Sequence, residues 1–75
     1  YRLSRLRQRT RSLSLTPREL EIACLVAKGL PTKAIGSGLG ISGWTVLTHL
    51  RRVFTRLGVS SRAAMVARLS DEGLL

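Results

Sequence analysis

The sequence predicts an all-α domain of four helices, on two observations. Apolar residues recur at helical spacing along the chain, and these runs lie between capping residues and glycines. The chain has 75 residues, which is enough for one small domain. The aromatic residues are Tyr1, Trp44 and Phe54, so we expect a core of aliphatic side chains.

The first helix is predicted over residues 17–28. Thr16 can cap its first turn, Pro17 suits the first helical position, and Glu19 can reach back to the cap, which is the pattern of a capping box. An apolar run follows, and Gly29 ends the helix. We expect Glu19 to act mainly in capping, with an ion pair to a basic side chain as a second role.

The second predicted helix is shorter and covers residues 32–39, with Ile35 and Leu39 four positions apart on one face. Gly36 and Gly38 each cost roughly 0.5–1 kcal/mol of helix propensity relative to alanine. We therefore expect packing, rather than propensity, to stabilise this helix.

Two further helices complete the domain. Gly40 lies in the turn after the second helix, where a tight corner favours a residue that tolerates positive φ. Ser42 is a good cap for a third helix over residues 43–57. A fourth helix is predicted over residues 61–70, capped by one of the two serines at its start.

The charge of the chain is strongly positive. Thirteen Lys and Arg residues against four Asp and Glu give a net charge of +9, and no acidic residue lies between Ile22 and Ser70. Such an imbalance indicates a polyanionic partner, with nucleic acid first and an acidic membrane second. Most of the basic residues are arginine, which suits forked contacts to phosphates and guanine edges.

Residues 1–14 are basic and polar. We interpret them as a linker or the end of an upstream segment, with a DNA-contacting arm as the alternative. They lack the apolar run of a signal peptide, and no run in the chain reaches the roughly 18–20 apolar residues of a membrane span. Because the chain begins with Tyr1, we expect it to be part of a longer protein, with the cytoplasm as its default location.

Catalytic and metal chemistry find little support in the sequence. A lone cysteine, Cys24, forms no disulfide within the chain, and with His49 it supplies too few ligands for a metal ion. The glycines of residues 36–40 follow no predicted strand, so they do not form a phosphate-binding loop. We therefore expect neither an enzyme nor a cofactor, metal or small-molecule ligand in this fragment.

The third helix has the clearest division between its faces. One apolar stripe is expected to face the core: Val46, Leu50, Val53 and Leu57. The opposite face is predicted to present Trp44, Leu47, Thr48, Arg51 and Thr55, flanked by His49, Arg52 and Arg56. A helix with one buried apolar stripe and with arginine, threonine and apolar side chains on the other face fits the major groove of DNA. For Trp44, stacking on a sugar and packing against the preceding turn are equally open.

The sequence resembles the LuxR/GerE-type helix-turn-helix found at the C-terminal end of bacterial transcriptional regulators. The resemblance rests on LTPRELEIACLVAKGL and TKAIGSGLGISGWTVLTHLRRVFTRLGVSSR and spans residues 15–75. It implies a four-helix LuxR-type helix-turn-helix, sequence-specific binding to double-stranded DNA for transcriptional regulation, and a nucleoid-associated location when DNA is bound. It also implies a dimer on paired half-sites.

Family resemblance also implies a role for individual residues. The base-reading positions fall on Leu47, Thr48 and Arg51. The phosphate contacts fall on Thr32, Lys33, Thr45, His49, Arg52 and Arg56, while Trp44 and Thr55 are further DNA-facing candidates. Lysine is common in the family at the position of Leu47, and small residues other than glycine are usual at Gly36 and Gly38. We therefore expect weak sequence selectivity.

Dimerisation and two alternative functions complete the expectations. By resemblance, residues 61–70 form the dimer face, with Met65 and Arg68 as candidates, and the isolated domain dimerises weakly. One alternative is a helix-turn-helix used mainly for protein–protein contact. The other is a cationic membrane-surface module that acts through residues 1–14.

Overall fold

The computed structural model describes residues 15–75, which form four α-helices and no β-strand. The helices are α1 (Pro17–Ala27), α2 (Thr32–Leu39), α3 (Gly43–Leu57) and α4 (Arg62–Asp71). The predicted all-α, four-helix architecture is confirmed. The predicted linker, arm and membrane-binding roles of residues 1–14 lie outside the described residues.

The caps set the helix ends close to their predicted positions. The fourth helix starts one residue later than predicted, because Ser61 is its N-cap and accepts a hydrogen bond from the Ala64 amide. It then continues to Asp71. The first helix ends at Ala27, one residue before the predicted end, with Lys28 as its C-cap.

The start of α1 is the predicted capping box. The Glu19 amide donates to the Thr16 hydroxyl at 3.1 Å, and the Thr16 amide donates to Glu19 Oε1 at 2.9 Å. Pro17 occupies the first helical position, where its missing N–H leaves no donor unsatisfied. Leu15, just before the cap, is buried against the core. The cap and the buried Leu15 together anchor the start of α1 on the core.

The core is aliphatic, as the composition predicts. The side chains of α1 form its centre, because α1 packs against all three other helices. The buried apolar residues are Leu15, Leu20, Ile22, Ala23, Val26, Ile35, Val46, Leu50, Val53, Leu57, Met65 and Leu69.

Met65 does not lie on a dimer face. Its side chain is 0% exposed and packs within the core, so the assignment of Met65 to the outer surface of α4 is wrong. The physical reason is the orientation of α4, which turns Met65 and Leu69, four positions apart, toward the other helices. Arg68 is exposed, as a surface role requires.

The turn between α2 and α3 is closed tightly by glycine. Gly40 has φ 73° and ψ 29°, and its amide and that of Ile41 both donate to the Gly36 carbonyl. A Cβ on Gly36 would lie 2.6 Å from the Ile41 carbonyl oxygen and 3.2 Å from the Gly43 nitrogen. In this chain glycine at position 36 thus permits a close approach of the turn as well as costing helix propensity, and the sequence indicated the second effect alone.

Candidate nucleic-acid interface

The faces of α3 separate as the sequence predicts. Its four stripe residues are buried, with exposed fractions of 8% or less: Val46, Leu50, Val53 and Leu57. Neighbouring helices on that side fix the orientation of α3, because both α1 and α2 pack against it. The opposite face is therefore presented to the outside by a rigid support.

Trp44 and Arg51 contact each other on this outer face. The Trp44 side chain is 69% exposed, and the Arg51 guanidinium carbon lies 5.8 Å from the centroid of its ring. This distance is within the range of a cation–π interaction. Most of the Trp44 ring faces outward, and its proposed role toward DNA stays a prediction.

Leu47 and the two threonines complete the outer face. Leu47 is 39% exposed, which leaves its alkyl group accessible. The Thr48 hydroxyl donates to the Trp44 carbonyl and the Thr55 hydroxyl to the Arg51 carbonyl, each at 3.1 Å. With its proton used inside the helix, each hydroxyl presents acceptor lone pairs to a partner.

The N-terminal ends of α2 and α3 differ in their side-chain capping. Lys33 is exposed and Thr32 is half-buried at the start of α2, where Pro31 is the N-cap and provides no side-chain cap. In α3, the Ser42 hydroxyl accepts from the Thr45 amide at 3.1 Å and lies 2.9 Å from the Thr45 hydroxyl. The start of α2 is therefore the less completely capped of the two.

His49 and Arg52 lie on the flank of α3. Arg52 is exposed. His49 is half-buried, and its Nδ1 atom is inaccessible and has no hydrogen-bond partner among the described residues. Because Nδ1 is inaccessible, an outward contact by His49 must use another part of its half-buried side chain.

Arg56 connects α3 to the start of α1. Its Nη1 atom donates to Glu19 Oε1 at 2.8 Å, and the Glu19 side chain is only 2% exposed. The Arg56 side chain remains 42% exposed. Both predicted roles of Glu19 are confirmed, since the same carboxylate completes the cap and pairs with Arg56. The pair ties the C-terminal half of α3 to the point where the chain enters the domain.

All the charged side chains of α2 and α3 are positive. These helices carry Lys33, Arg51, Arg52 and Arg56 and no carboxylate. In the described part of the chain the acidic residues are Glu19, Glu21, Asp71 and Glu72, all on α1 or at the end of α4. Glu21 pairs with Arg18 at 3.1 Å on the exposed side of α1. A polyanion that approaches α3 therefore meets no repulsive charge on that helix.

Other features of the surface lie apart from α3. A groove of about 610 Å³ is lined by Pro17, Arg18, Leu20, Glu21, Cys24 and Leu74, and none of these belongs to α2 or α3. Burial raises the pKa of the Cys24 thiol above its usual value, against a smaller lowering by Lys28. Within residues 15–75 no cluster of three metal-ligating side chains occurs, and no helix there could cross a membrane.

The predicted site residues fall into two sets in the structure. One is the outer row of α3, in which Trp44, Leu47, Arg51 and Thr55 are exposed and Thr48 is half-buried. The other comprises Thr32 and Lys33 at the start of α2, together with Thr45, His49, Arg52 and Arg56 on α3. Sequence reasoning missed the structural role of Gly36 and the contact between Trp44 and Arg51. A buried glycine one turn before a helix corner, and a spacing of seven residues, were the available signals.

Comparison with known proteins assigns the family. The model of "Bacterial regulatory proteins, luxR family" matches residues 13–69, which is more than half of the chain. The transcriptional regulatory protein LiaR of Bacillus subtilis is 51% identical over 49 residues, which are 65% of this chain and 23% of LiaR. The transcriptional activator protein ExaE of Pseudomonas putida is 43% identical over 61 residues, 81% of this chain and 28% of ExaE.

A third relative matches almost the whole chain. The transcriptional regulatory protein YdfI of Bacillus subtilis is 34% identical over 71 residues, 95% of this chain and 33% of YdfI. The chain thus spans a third or less of the length of these relatives. No solved structure gives a significant match. The family match, the four helices and the exposed face of α3 agree, and the chain belongs to the luxR family of bacterial regulatory proteins.

Proposed function

We propose that this chain binds double-stranded DNA and regulates transcription, with α3 in the major groove. The observation that carries the proposal is the outer row of α3, where an exposed apolar group and an exposed guanidinium flank a half-buried hydroxyl acceptor on a helix whose other side is buried. Membership of the luxR family and relatives named as transcriptional regulators support the same function.

Base reading is assigned to three neighbouring side chains of α3. Arg51 can donate two hydrogen bonds to a guanine edge, and Thr48 can accept from an amino group of adenine or cytosine. Leu47 supplies an apolar contact in place of a charged one. Each good bidentate pair discriminates between bases by about 1–3 kcal/mol. Because Leu47 makes no hydrogen bond, weak selectivity remains our expectation.

Phosphate contacts are assigned to the residues around that row. The cations Lys33, Arg52 and Arg56 displace counterions, and the logarithm of the binding constant falls by about 0.9 per contact for each unit of log salt. Thr32, at the poorly capped start of α2, can satisfy a phosphate together with the first amides of that helix. Thr45 and His49 are the remaining phosphate contacts of the proposal.

Pairing of two domains is assigned to the exposed side of α4. Arg68 stays a candidate on this face, whereas Met65 is part of the core. A weak homodimer would place two copies of α3 on half-sites about one helical turn apart. Arg68→Glu is expected to lower the dimer fraction in sedimentation equilibrium without lowering the melting temperature. An unchanged dimer fraction would remove Arg68 from the face.

The proposed function is binding, without catalysis, cofactor, metal or small-molecule ligand in this part of the protein. The proposed location is the cytoplasm, with association to the nucleoid when DNA is bound. In the longer protein that we propose, upstream segments would control pairing and thereby promoter occupancy.

The test is a mobility-shift series over increasing salt with specific and mixed-sequence duplexes. Arg51→Ala is expected to lower affinity and to remove the preference for guanine. Lys33→Ala should keep the preference while the salt slope falls by about 0.9. Arg18→Ala removes the same charge from α1 and should change neither quantity. If Arg51→Ala retains both affinity and preference, α3 does not read DNA, and salt-independent binding of a protein partner would favour the protein-contact alternative.

A further inference from the structure

We propose that Trp44 positions Arg51 for one guanine, and that Leu47 reads the methyl group of a thymine beside it. The inference rests on the proposed function and specifies the DNA it takes, namely half-sites that contain a thymine next to a guanine. Trp44 is a positioning residue here, and Leu47 and Arg51 touch the bases.

The geometry of α3 brings the three side chains into one sector. At roughly 100° per residue, Trp44 and Arg51 lie about 20° apart around the axis, and Leu47 lies within about 60° of Trp44. The Cα atoms of Trp44 and Arg51 are about 10.5 Å apart along the axis, since the rise is about 1.5 Å per residue. The guanidinium carbon is nevertheless 5.8 Å from the ring centroid. The Trp44 and Arg51 side chains therefore extend toward each other along the axis, past the level of Leu47.

This arrangement restrains Arg51 without consuming its hydrogen bonds. Contact with the face of an aromatic ring uses the charge of the guanidinium and none of its five N–H donors. A long side chain loses rotamer freedom when it binds, and a contact that is already present in the free protein lowers that loss. The donors thus remain available for a guanine edge while the ring limits where they can point.

Leu47 is the apolar neighbour of that guanidinium. In the described part of the chain the large apolar residues that stand exposed are Leu30, Trp44, Leu47 and Leu75, and two of these lie on the outer row of α3. The thymine methyl is the apolar group that the major groove presents. Because Leu47 lies between Trp44 and Arg51 along the axis and in the same sector, we expect Leu47 and Arg51 to reach adjacent base pairs, which are about 3.4 Å apart.

The experiment compares two random duplex libraries of the same sequence content, one made with thymine and the other with deoxyuridine. Uracil lacks the methyl group and keeps every hydrogen-bonding group of thymine. The 75-residue chain should enrich a thymine next to a guanine in the first library. In the second library, binding to that step should weaken about fourfold, the equivalent of about 0.8 kcal/mol for one buried methyl group.

Variants separate the two roles. Leu47→Ala should bind the thymine and the deoxyuridine versions of that step with equal affinity, and it should keep the preference for guanine. Trp44→Ala should lower the enrichment of guanine about two- to fivefold, as expected for loss of an exposed cation–π contact. Trp44→Phe keeps a ring and should restore most of it. Because Trp44 is 69% exposed, Trp44→Ala is expected to melt at the wild-type temperature.

Two results would overturn the inference alone. They are equal enrichment in both libraries by the wild-type chain, and unchanged guanine enrichment in Trp44→Ala. Either result is compatible with binding to DNA. Absence of salt-dependent binding to any duplex would instead contradict the proposed function itself, so the two failures are distinguishable.

Discussion

Alanine substitution at two glycines of α2 is expected to change stability in opposite directions. Gly36 and Gly38 are two positions apart in the same helix. A Cβ on Gly38 would meet no atom within 4 Å, whereas a Cβ on Gly36 would lie 2.6 Å from the Ile41 carbonyl oxygen. The two substitutions are chemically identical, so the difference between them isolates the packing of α2 against the turn.

The magnitudes follow from propensity and overpacking. Alanine in place of glycine within a helix gains about 0.5–1 kcal/mol. Gly38→Ala should receive this gain in full. At Gly36, the added carbon also approaches the Gly43 nitrogen at 3.2 Å, so the backbone of the turn and the start of α3 must move. Overpacking of this kind costs about 1–3 kcal/mol, which leaves a net loss of about 1 kcal/mol.

Thermal unfolding followed by circular dichroism measures both effects. One kcal/mol shifts the melting temperature of a domain of this size by about 4–8 °C. Gly36→Ala should therefore melt several degrees below the wild-type chain, and Gly38→Ala should melt a few degrees above it. Gly36→Ala should also weaken DNA binding, since the shift reaches α3. A melting temperature of Gly36→Ala at or above that of Gly38→Ala would refute the reasoning.

Three further predictions concern the core and α1. Glu19→Ala should lower the free energy of unfolding by about 1–3 kcal/mol in urea titration, because the cap and the Arg56 pair both lose their acceptor; an unchanged value would contradict this. Met65→Ala should lower the free energy of unfolding by about 2–5 kcal/mol, and Arg68→Ala should lower it by less than about 0.5 kcal/mol. Similar losses for both variants would place Met65 outside the core. Burial raises the pKa of Cys24, so the neutral thiol favours the folded state below the ordinary thiol pKa, and this contribution is lost as pH rises through the folded pKa. Alkylation by iodoacetamide should accordingly rise at a higher pH in the folded chain than in urea.

The features that the sequence predicts well are local in origin. The buried stripe of α3 follows from residues that recur with the helical period, and Val46 and Leu50 are buried as that period requires. Caps are equally local, because the hydroxyl of Thr16 and the carboxylate of Glu19 act within one turn. The number of helices and the outward face of α3 could therefore be predicted, and the helix ends could be predicted to within one residue.

The features that the sequence did not predict depend on contacts between elements. Met65 is the exception, because its spacing of four from Leu69 already indicated an inward apolar pair, and its assignment to a dimer face followed the family resemblance instead. The need for glycine at Gly36 depends on how closely the turn returns to α2. Trp44 and Arg51 share a sector by their spacing, yet their contact depends on the side-chain rotamers.

The most direct test of the central claim is modification interference with dimethyl sulfate on duplexes selected by the chain. This reagent methylates guanine N7 in the major groove and adenine N3 in the minor groove, so one experiment compares the two grooves. If α3 enters the major groove with Arg51 at a guanine edge, duplexes methylated at one guanine N7 should be depleted from the bound fraction. Depletion at adenine N3 alone, or none at any base, would contradict the proposed binding mode.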